Sequence, residues 1–557
     1  MNNSDEYIYE NVSPNYKNIF STKVHFKDSN DLLEAEKKKT LINHSLKVHK
    51  YIFSFVLIFV IIIIINLYKV FFKNYENENT YRATEIKNRG KIFDRNGELL
   101  ATSIDTKDFY LNTRKILDKK KLGNDLKEIF PNKSELYFEK ILDKKHYIKI
   151  KKFLTTSEEK ELKKIGDPGI KFHKSIKRIY IHHNLFSHLT GFKSLDLKSK
   201  IEKNLDTDLK KGLDVNLTLD LRVQDKVHEE LSNSLKLYNA KSAVAIVMNA
   251  NTGEIISLVS LPDFNPNHPE DIKAYSENNL AFEARYEMGS TLKIFNAALV
   301  YENSPTLTKN QFKINEGYQL TQDKLIEDKH IKKNILNFDE IFTKSSNVGS
   351  IQIIEKIGIE KQKELFQKIN LGKEINLHGL KVVNNKLPTN WDTVASKSIS
   401  YGYGISISPI SLISAYAPLV NGGYKIEPKI NFKKNIKREK ILSEETSKKI
   451  NTLLKKVVKV GTGNKARVNG IEVGGKTGTS KKLDKNDYSN KKLITSFIGA
   501  FPINDPRYLT LVLFDEPRRN KTESLESFGG NTAAPTFSRI VSKITPILDK
   551  NNYLKIK

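Results

Sequence analysis

Ser290-Thr291-Leu292-Lys293 sets a hydroxyl and an amine three positions apart, and Ile294 to Val300 continues the segment as an apolar, alanine-containing run of helical character. If the helix starts at the serine, the two side chains lie one turn apart on the same face. A serine hydroxyl is a weak nucleophile until a neighbouring base takes its proton. A helix N-terminus also favours the negative charge that then develops. The chemistry on offer is attack by an activated serine. The spacing alone says little in a lysine-rich chain, since Ser157 with Lys160 and Ser489 with Lys492 share it.

Two further clusters follow. Ser345-Ser346-Asn347 falls between a helix expected to end near Lys344 and another starting near Val348. A loop serine and asparagine can offer a hydroxyl and an amide to a peptide, although the same residue types favour helix caps. Ser276-Glu277-Asn278 has the same pattern but precedes the serine at 290. Lys476-Thr477-Gly478-Thr479 comes after Val473-Gly474-Gly475. Apolar alternation and internal glycine suggest an edge strand that a ligand can approach closely. One charge and one hydroxyl donor suit a carboxylate; alone, the cluster is an ordinary strand end.

These clusters need elements to hold them. Ala243 to Met248 reads as a buried strand, Asn251-Thr252-Gly253 as a turn and Glu254 to Val259 as a second strand. Upstream, Val215 to Asp220 alternates like a strand and Val223 to Leu237 reads as a helix. Asn96-Gly97, between short apolar runs, is a hairpin signal. Residues 105–210 are charged and lysine-rich, with amphipathic helical stretches and no chemical motif, and read as a spacer module. Tyr51 to Leu67, with Tyr68, Val70, Phe71 and Phe72, makes an apolar run of the ~20 residues that cross a bilayer. Lys37, Lys38, Lys39, Lys47 and Lys50 precede it; Lys69 and Lys73, then Glu76 and Glu78, follow. The positive-inside rule puts residues 1–50 in the cytoplasm and the rest outside. No small-residue cleavage site follows, so the span reads as an uncleaved anchor.

At 557 residues the chain exceeds the ~250–300 that one core sustains, so two or more domains are expected. The absence of cysteine excludes disulfide scaffolds, a cysteine nucleophile and thiolate metal sites. The net charge of +28 raises the question of nucleic acid. The lysines are spread along the whole chain, and the topology places most of them outside the cytoplasm, so no nucleic-acid partner is expected.

The three clusters together are far more specific than any one. Ser-x-x-Lys, Ser-x-Asn and Lys-Thr-Gly in order form the signature of penicillin-binding proteins and serine β-lactamases. Ser345 lies 55 residues after Ser290, and Lys476 lies 131 after Ser345. Arg89-Gly90-x-Ile92-x-Asp94-Arg95-Asn96-Gly97 looks like the pedestal motif of monofunctional (class B) members. Thr252-Gly253-Glu254-Ile255 to Phe264-Asn265-Pro266-Asn267, Tyr286-Glu287-Met288-Gly289-Ser290, Ser400-Tyr401-Gly402-Tyr403-Gly404-Ile405 to Asn421-Gly422-Gly423, Gly461-Thr462-Gly463 and Gly529-Gly530-Asn531-Thr532-Ala533-Ala534-Pro535 match their transpeptidase segments. The chain thus resembles a class B penicillin-binding protein of the division type from about residue 85 to 540. It departs from the pattern at Met288, where proline is commoner, and at Ile181, where proline usually follows Arg178-Ile179-Tyr180.

The resemblance implies an α+β protein: cytoplasmic tail 1–50, single transmembrane helix 51–72, mixed α/β pedestal 73–220, and transpeptidase domain 221–557 with an antiparallel sheet flanked by helices. It implies a peptidoglycan D,D-transpeptidase of the inner membrane, its catalytic domain periplasmic, cross-linking stem peptides at the septum through a serine acyl-enzyme. Ser290 would be the nucleophile and Lys293 its base. Ser345 would relay the proton and Asn347 hold the donor amide. Lys476, Thr477, Gly478 and Thr479 would bind the substrate, with the Ser290 and Thr479 N–H groups as oxyanion hole. No metal or cofactor is implied. Implied partners are stem peptides, β-lactams, a polytopic SEDS-type glycosyltransferase and other divisome membrane proteins. An elongation-type enzyme typically shows Ser-x-Asp where this chain has Asn347. An anchored β-lactamase would not need the pedestal. A bifunctional enzyme needs a glycosyltransferase domain that the about 150–170 residues between span and new domain do not accommodate. An elongation-type transpeptidase, and a membrane-anchored β-lactam-binding protein serving mainly to activate a glycosyltransferase, are the remaining alternatives.

Overall fold

The computed structural model of the chain describes residues 37, 48–67, 89–144, 146–191, 201–273, 276–377, 380–432, 438–484, 487–518 and 527–549. The chain divides into two units, Met1–Ile86 and Lys87–Lys557.

In the first unit, helix α1, Val48–Leu67, is long and apolar enough to cross a membrane. It begins three residues before the expected span; positions 68–72 of that span, most of the tail and the linker lie outside the described residues.

The second unit opens with β1, Ile92–Phe93, which turns back at Asn96-Gly97 into β2, Leu99–Asn112. Gly97 has φ of +86°, which a glycine adopts freely. Asp94 fixes the turn by accepting hydrogen bonds from the Asn96 and Glu98 amides at 2.7 and 2.9 Å, and it also accepts from Leu221 N at 3.0 Å. Then follow α2 (Lys119–Ile129), α3 (Glu135–Leu142), β3 (Tyr147–Lys151), α4 (Thr156–Ile165), β4 (Ile170–Tyr180) and β5 (Val215–Asn216). Strand β2 pairs with β1, β3 and β4, and β5 runs parallel to β1. Phe109, Leu122, Leu126, Phe138 and Leu162 form a separate small core at one end of this sheet.

The spacer reading of 105–210 foresaw amphipathic helices but not the β2–β4 ribbon, in register from Ala101↔Tyr180 to Leu111↔Ile170. Most β4 side chains are half-buried on both faces, so no period-two pattern marks it. The ribbon carries Arg178 into a buried ion cluster: Arg89 Nε and Arg178 Nε reach the two oxygens of Glu202 at 2.6 and 2.7 Å. The expected strand 215–220 is shorter than read, because Leu217 leaves β5 to bridge Asn431.

Asp220 caps α5, Leu221–Leu237, by accepting from Arg222 N. The expected hairpin is present as β6 (Ser242–Asn249) and β7 (Ile255–Leu261). Helices α6 (Lys293–Asn303), α7 (Phe338–Thr343), α8 (Asn347–Ile357), α9 (Pro409–Val420) and α10 (Glu444–Val460) precede β8 (Gly474–Asp484), β9 (Asp487–Phe501), β10 (Tyr508–Asp515) and α11 (Ala533–Asp549). The strands make one antiparallel sheet in the order β8-β9-β10-β6-β7. Both faces of it are covered, which is why Ala243 to Met248 in β6 read as a continuous apolar run. Val244, Ile246 and Met248 face the layer holding α6 and α9; Ala243, Ala245 and Val247 face α5 and α11. Helix α6 is buried at every position from Lys293 to Val300, as an all-round apolar helix must be. The architecture is α+β, and β8 is an edge strand, as its sequence suggested.

Candidate active site

Ser290 sits on a short 3₁₀ turn, Gly289–Leu292, and the regular helix begins at Lys293. The turn is pressed onto β8. A Cβ on Gly289, whose φ is +53°, would lie 2.5 Å from the Thr479 carbonyl oxygen, and one on Gly478 would lie 2.7 Å from that of Met288. Only residues without side chains let the turn and the strand come this close.

Ser345 lies between α7 and α8 with φ of +62°. The cap that competes with a catalytic reading of this cluster falls on Ser346, whose Oγ accepts from Gly349 N at 2.8 Å. That frees Ser345 and Asn347 for the cleft. Asp328 holds the turn: it accepts from Asn347 N at 2.7 Å, from Val348 N at 3.2 Å and from the Ser346 hydroxyl.

The two lysines meet at this turn. Lys293 Nζ donates to the Ser345 carbonyl at 2.5 Å and to Asn347 Oδ1 at 2.6 Å, with Ser345 Oγ at 3.4 Å. Lys476 Nζ donates to Ser345 Oγ at 2.9 Å, and has Thr477 Oγ1 at 3.4 Å. Both lysines are 0% exposed. Burial pushes Lys293 down to about 7, against the pull of the Asp328 charge. Burial, and then the neighbouring Lys293 charge, push Lys476 well below its ordinary range. Desolvation and a like charge each disfavour the ammonium form.

An open cleft of about 470 Å³ gathers Ser290, Ser345, Asn347, Thr477 and Thr479, with Tyr401, Tyr403, Thr462 and Phe528 along its walls. The motif residues thus come together, and the decoys do not join them. Ser157 and Lys160 are exposed on α4. Ser276 is spent on the Lys273 carbonyl, to which it donates at 2.8 Å. Reading from sequence missed Asp328, which no motif spacing marks. It also gave no role to Tyr401, Tyr403 and Thr462, which sit inside glycine-flanked segments quoted only for their resemblance.

Residues 243–542 match the penicillin binding protein transpeptidase domain, and residues 85–217 the penicillin-binding protein dimerisation domain. The chain belongs to the class B penicillin-binding proteins. Within that family it is 32% identical over 483 residues to a probable peptidoglycan D,D-transpeptidase FtsI of Caulobacter vibrioides, covering 83% of this chain and 81% of the relative. It is 28% identical over 502 residues to a probable peptidoglycan D,D-transpeptidase PenA of Neisseria meningitidis, covering 83% and 84%. Stage V sporulation protein D of Bacillus subtilis is 29% identical over 515 residues, covering 83% and 78%. As a class B member of the FtsI type, the chain carries the signature clusters on the elements just described: a 3₁₀ turn leading into a buried helix, a helix-to-helix turn and a sheet edge.

Proposed function

We propose that this penicillin-binding protein is a serine-type peptidoglycan D,D-transpeptidase that cross-links stem peptides at the division septum. The observation that carries the reading is the Ser345 hydroxyl held beside two wholly buried lysines at the edge of the cleft that Ser290 lines. Unpaired buried amines are costly and cluster at functional sites. The FtsI name of a relative covering most of the chain supports the septal role.

The donor is a peptide ending in D-Ala-D-Ala. Its terminal carboxylate lies against Lys476 and Thr477, and its amide against Asn347. Arrival of that anion favours the Lys476 ammonium, whose charge in turn favours the free amine at Lys293. Lys293 takes the Ser290 proton as the oxygen attacks the penultimate D-Ala carbonyl, and the oxyanion rests on the Ser290 and Thr479 N–H groups. The C–N bond breaks, a proton reaches the leaving D-Ala nitrogen through Ser345, and an ester to Ser290 remains. An amine of a second stem peptide attacks the ester, gives up a proton, and returns Ser290 to its hydroxyl form. No metal or cofactor enters this scheme.

We place the boundary between pedestal (73–220) and catalytic domain (221–557) where Asp220 caps α5. Residues 1–50 are assigned to the cytoplasm and the catalytic domain to the periplasm, on the lysine asymmetry around one inner-membrane span. Reporter fusions at residues 30 and 120 test this, and a periplasmic signal at residue 30 would reverse it. The pedestal is assigned to a SEDS-type glycosyltransferase and other divisome membrane proteins, and a Ser290→Ala protein that still activates the glycosyltransferase would separate this role from catalysis. The reading as a whole is tested by mass spectrometry after reaction with a fluorescent penicillin. The label is expected on Ser290; label on Ser157 or Ser489 would overturn the assignment.

A further inference from the structure

The loop Gly461-Thr462-Gly463 touches both walls of the cleft. Thr462 N donates to the Thr343 carbonyl at 3.0 Å, two residues before Ser345. A Cβ on Gly461 would lie 2.4 Å from that same carbonyl oxygen, so the approach requires glycine here. On the other side, the Thr462 and Thr477 hydroxyl oxygens lie 2.8 Å apart, and both residues line the cleft. Gly530 closes over the strap: a Cβ on it would lie 2.8 Å from the Thr462 carbonyl oxygen.

A threonine hydroxyl has one proton and two lone pairs. Two groups able to donate surround Thr477 Oγ1: the Thr462 hydroxyl at 2.8 Å, where either oxygen can be the donor, and Lys476 Nζ at 3.4 Å, whose N–H groups donate whether or not the amine is charged. If both lone pairs accept, the Thr477 proton is left pointing into the cleft. That is the orientation an arriving anion needs, and a donor already turned toward a charge loses no energy in reorienting.

We propose that Thr462 is a positioning residue for carboxylate recognition: its hydroxyl donates to Thr477 Oγ1 and so directs the Thr477 proton toward the terminal carboxylate of the substrate. The inference rests on the reading that Lys476 and Thr477 bind that carboxylate. It adds that their geometry is set from the strap, and that the strap ties the Lys-Thr-Gly strand to the Ser345 turn.

The test uses the full-length protein and second-order acylation rates with a penicillin and with its methyl ester, for Thr462→Val, Thr462→Ser, Thr477→Val and the double valine variant. Losing an oriented hydrogen bond to a charged group slows acylation by the acid roughly five- to tenfold in Thr462→Val. The ester, lacking the anion, should slow less than about twofold, and Thr462→Ser should restore the acid rate. The double variant should be no slower than Thr477→Val, because the strap acts only through that hydroxyl. Equal slowing of acid and ester in Thr462→Val, or additive losses in the double variant, would overturn the inference while a preserved acid–ester difference in Thr477→Val leaves the carboxylate reading standing. If Thr477→Val itself treats acid and ester alike, the carboxylate reading fails and takes this inference with it.

Discussion

The pedestal head and the catalytic layer use lysine in opposite ways. In the head, Lys107 pairs with Glu159 and Lys151 with Glu158, each lysine side chain about a third exposed at 36% and 35%. In the cleft, Lys293 and Lys476 have no exposure, and among the described residues their hydrogen-bond partners are hydroxyls, carbonyls and an amide. A surface ion pair contributes about 0–1 kcal/mol and can be lost with little consequence. A buried amine without a carboxylate partner lowers stability instead, and a fold keeps it where chemistry needs a group that can lose its proton near neutral pH. The lesson is that the net charge of this chain says little about its function, whereas the burial of two lysines says a great deal.

The comparison is strained hardest by Lys293→Ala. Removing a general base costs roughly 10²–10⁴-fold, so the acylation rate of Ser290 by a penicillin should fall by that much while the protein stays folded by circular dichroism. A loss under tenfold would mean that the buried amine is not the base. Lys476→Ala should slow acylation by the free acid roughly 10- to 100-fold, the worth of one charge-assisted contact, and slow the methyl ester much less. Equal slowing would move Lys476 into the proton-transfer machinery.

Asp328→Asn comes next. The variant keeps the shape but loses the charge that holds the Asn347 and Val348 amides, so stability to urea should drop by about 1–3 kcal/mol. Removing this anion also removes the attraction that opposes the fall of Lys293. The pH at which acylation reaches half its maximum should therefore move down, and an upward move would contradict the stated cause. The smallest effect belongs to the surface: Lys151→Ala should change stability by less than about 1 kcal/mol and leave acylation within about twofold.

Much of this was legible because signals agreed at several levels. The strands β6 and β7 are rich in apolar residues on both faces because both sheet faces are covered, and Asn96-Gly97 sits where a tight turn needs positive φ. The three clusters were readable by order and spacing. What escaped were features set by distant contacts. Asp328 acts on backbone amides that any residue supplies, so its own type carries no signal. Ser346 takes the cap while Ser345 adopts a left-handed conformation, which no local pattern requires. Strand β4 is built from lysines and half-buried apolar residues and is defined by its ladder with β2. The 3₁₀ turn at Ser290 depends on glycines packing across to β8.

The central claim is that Lys293 works as a free amine because burial has brought it down to about 7. The direct test is the rate of Ser290 acylation by a penicillin methyl ester between pH 5.5 and 8.5, since the ester removes the substrate carboxylate from the titration. Below the pKa the free-amine fraction falls about tenfold per pH unit, so the rate should climb with that slope and level off near pH 7. A profile that is flat across the range, or one that keeps rising through pH 8.5, would contradict the account.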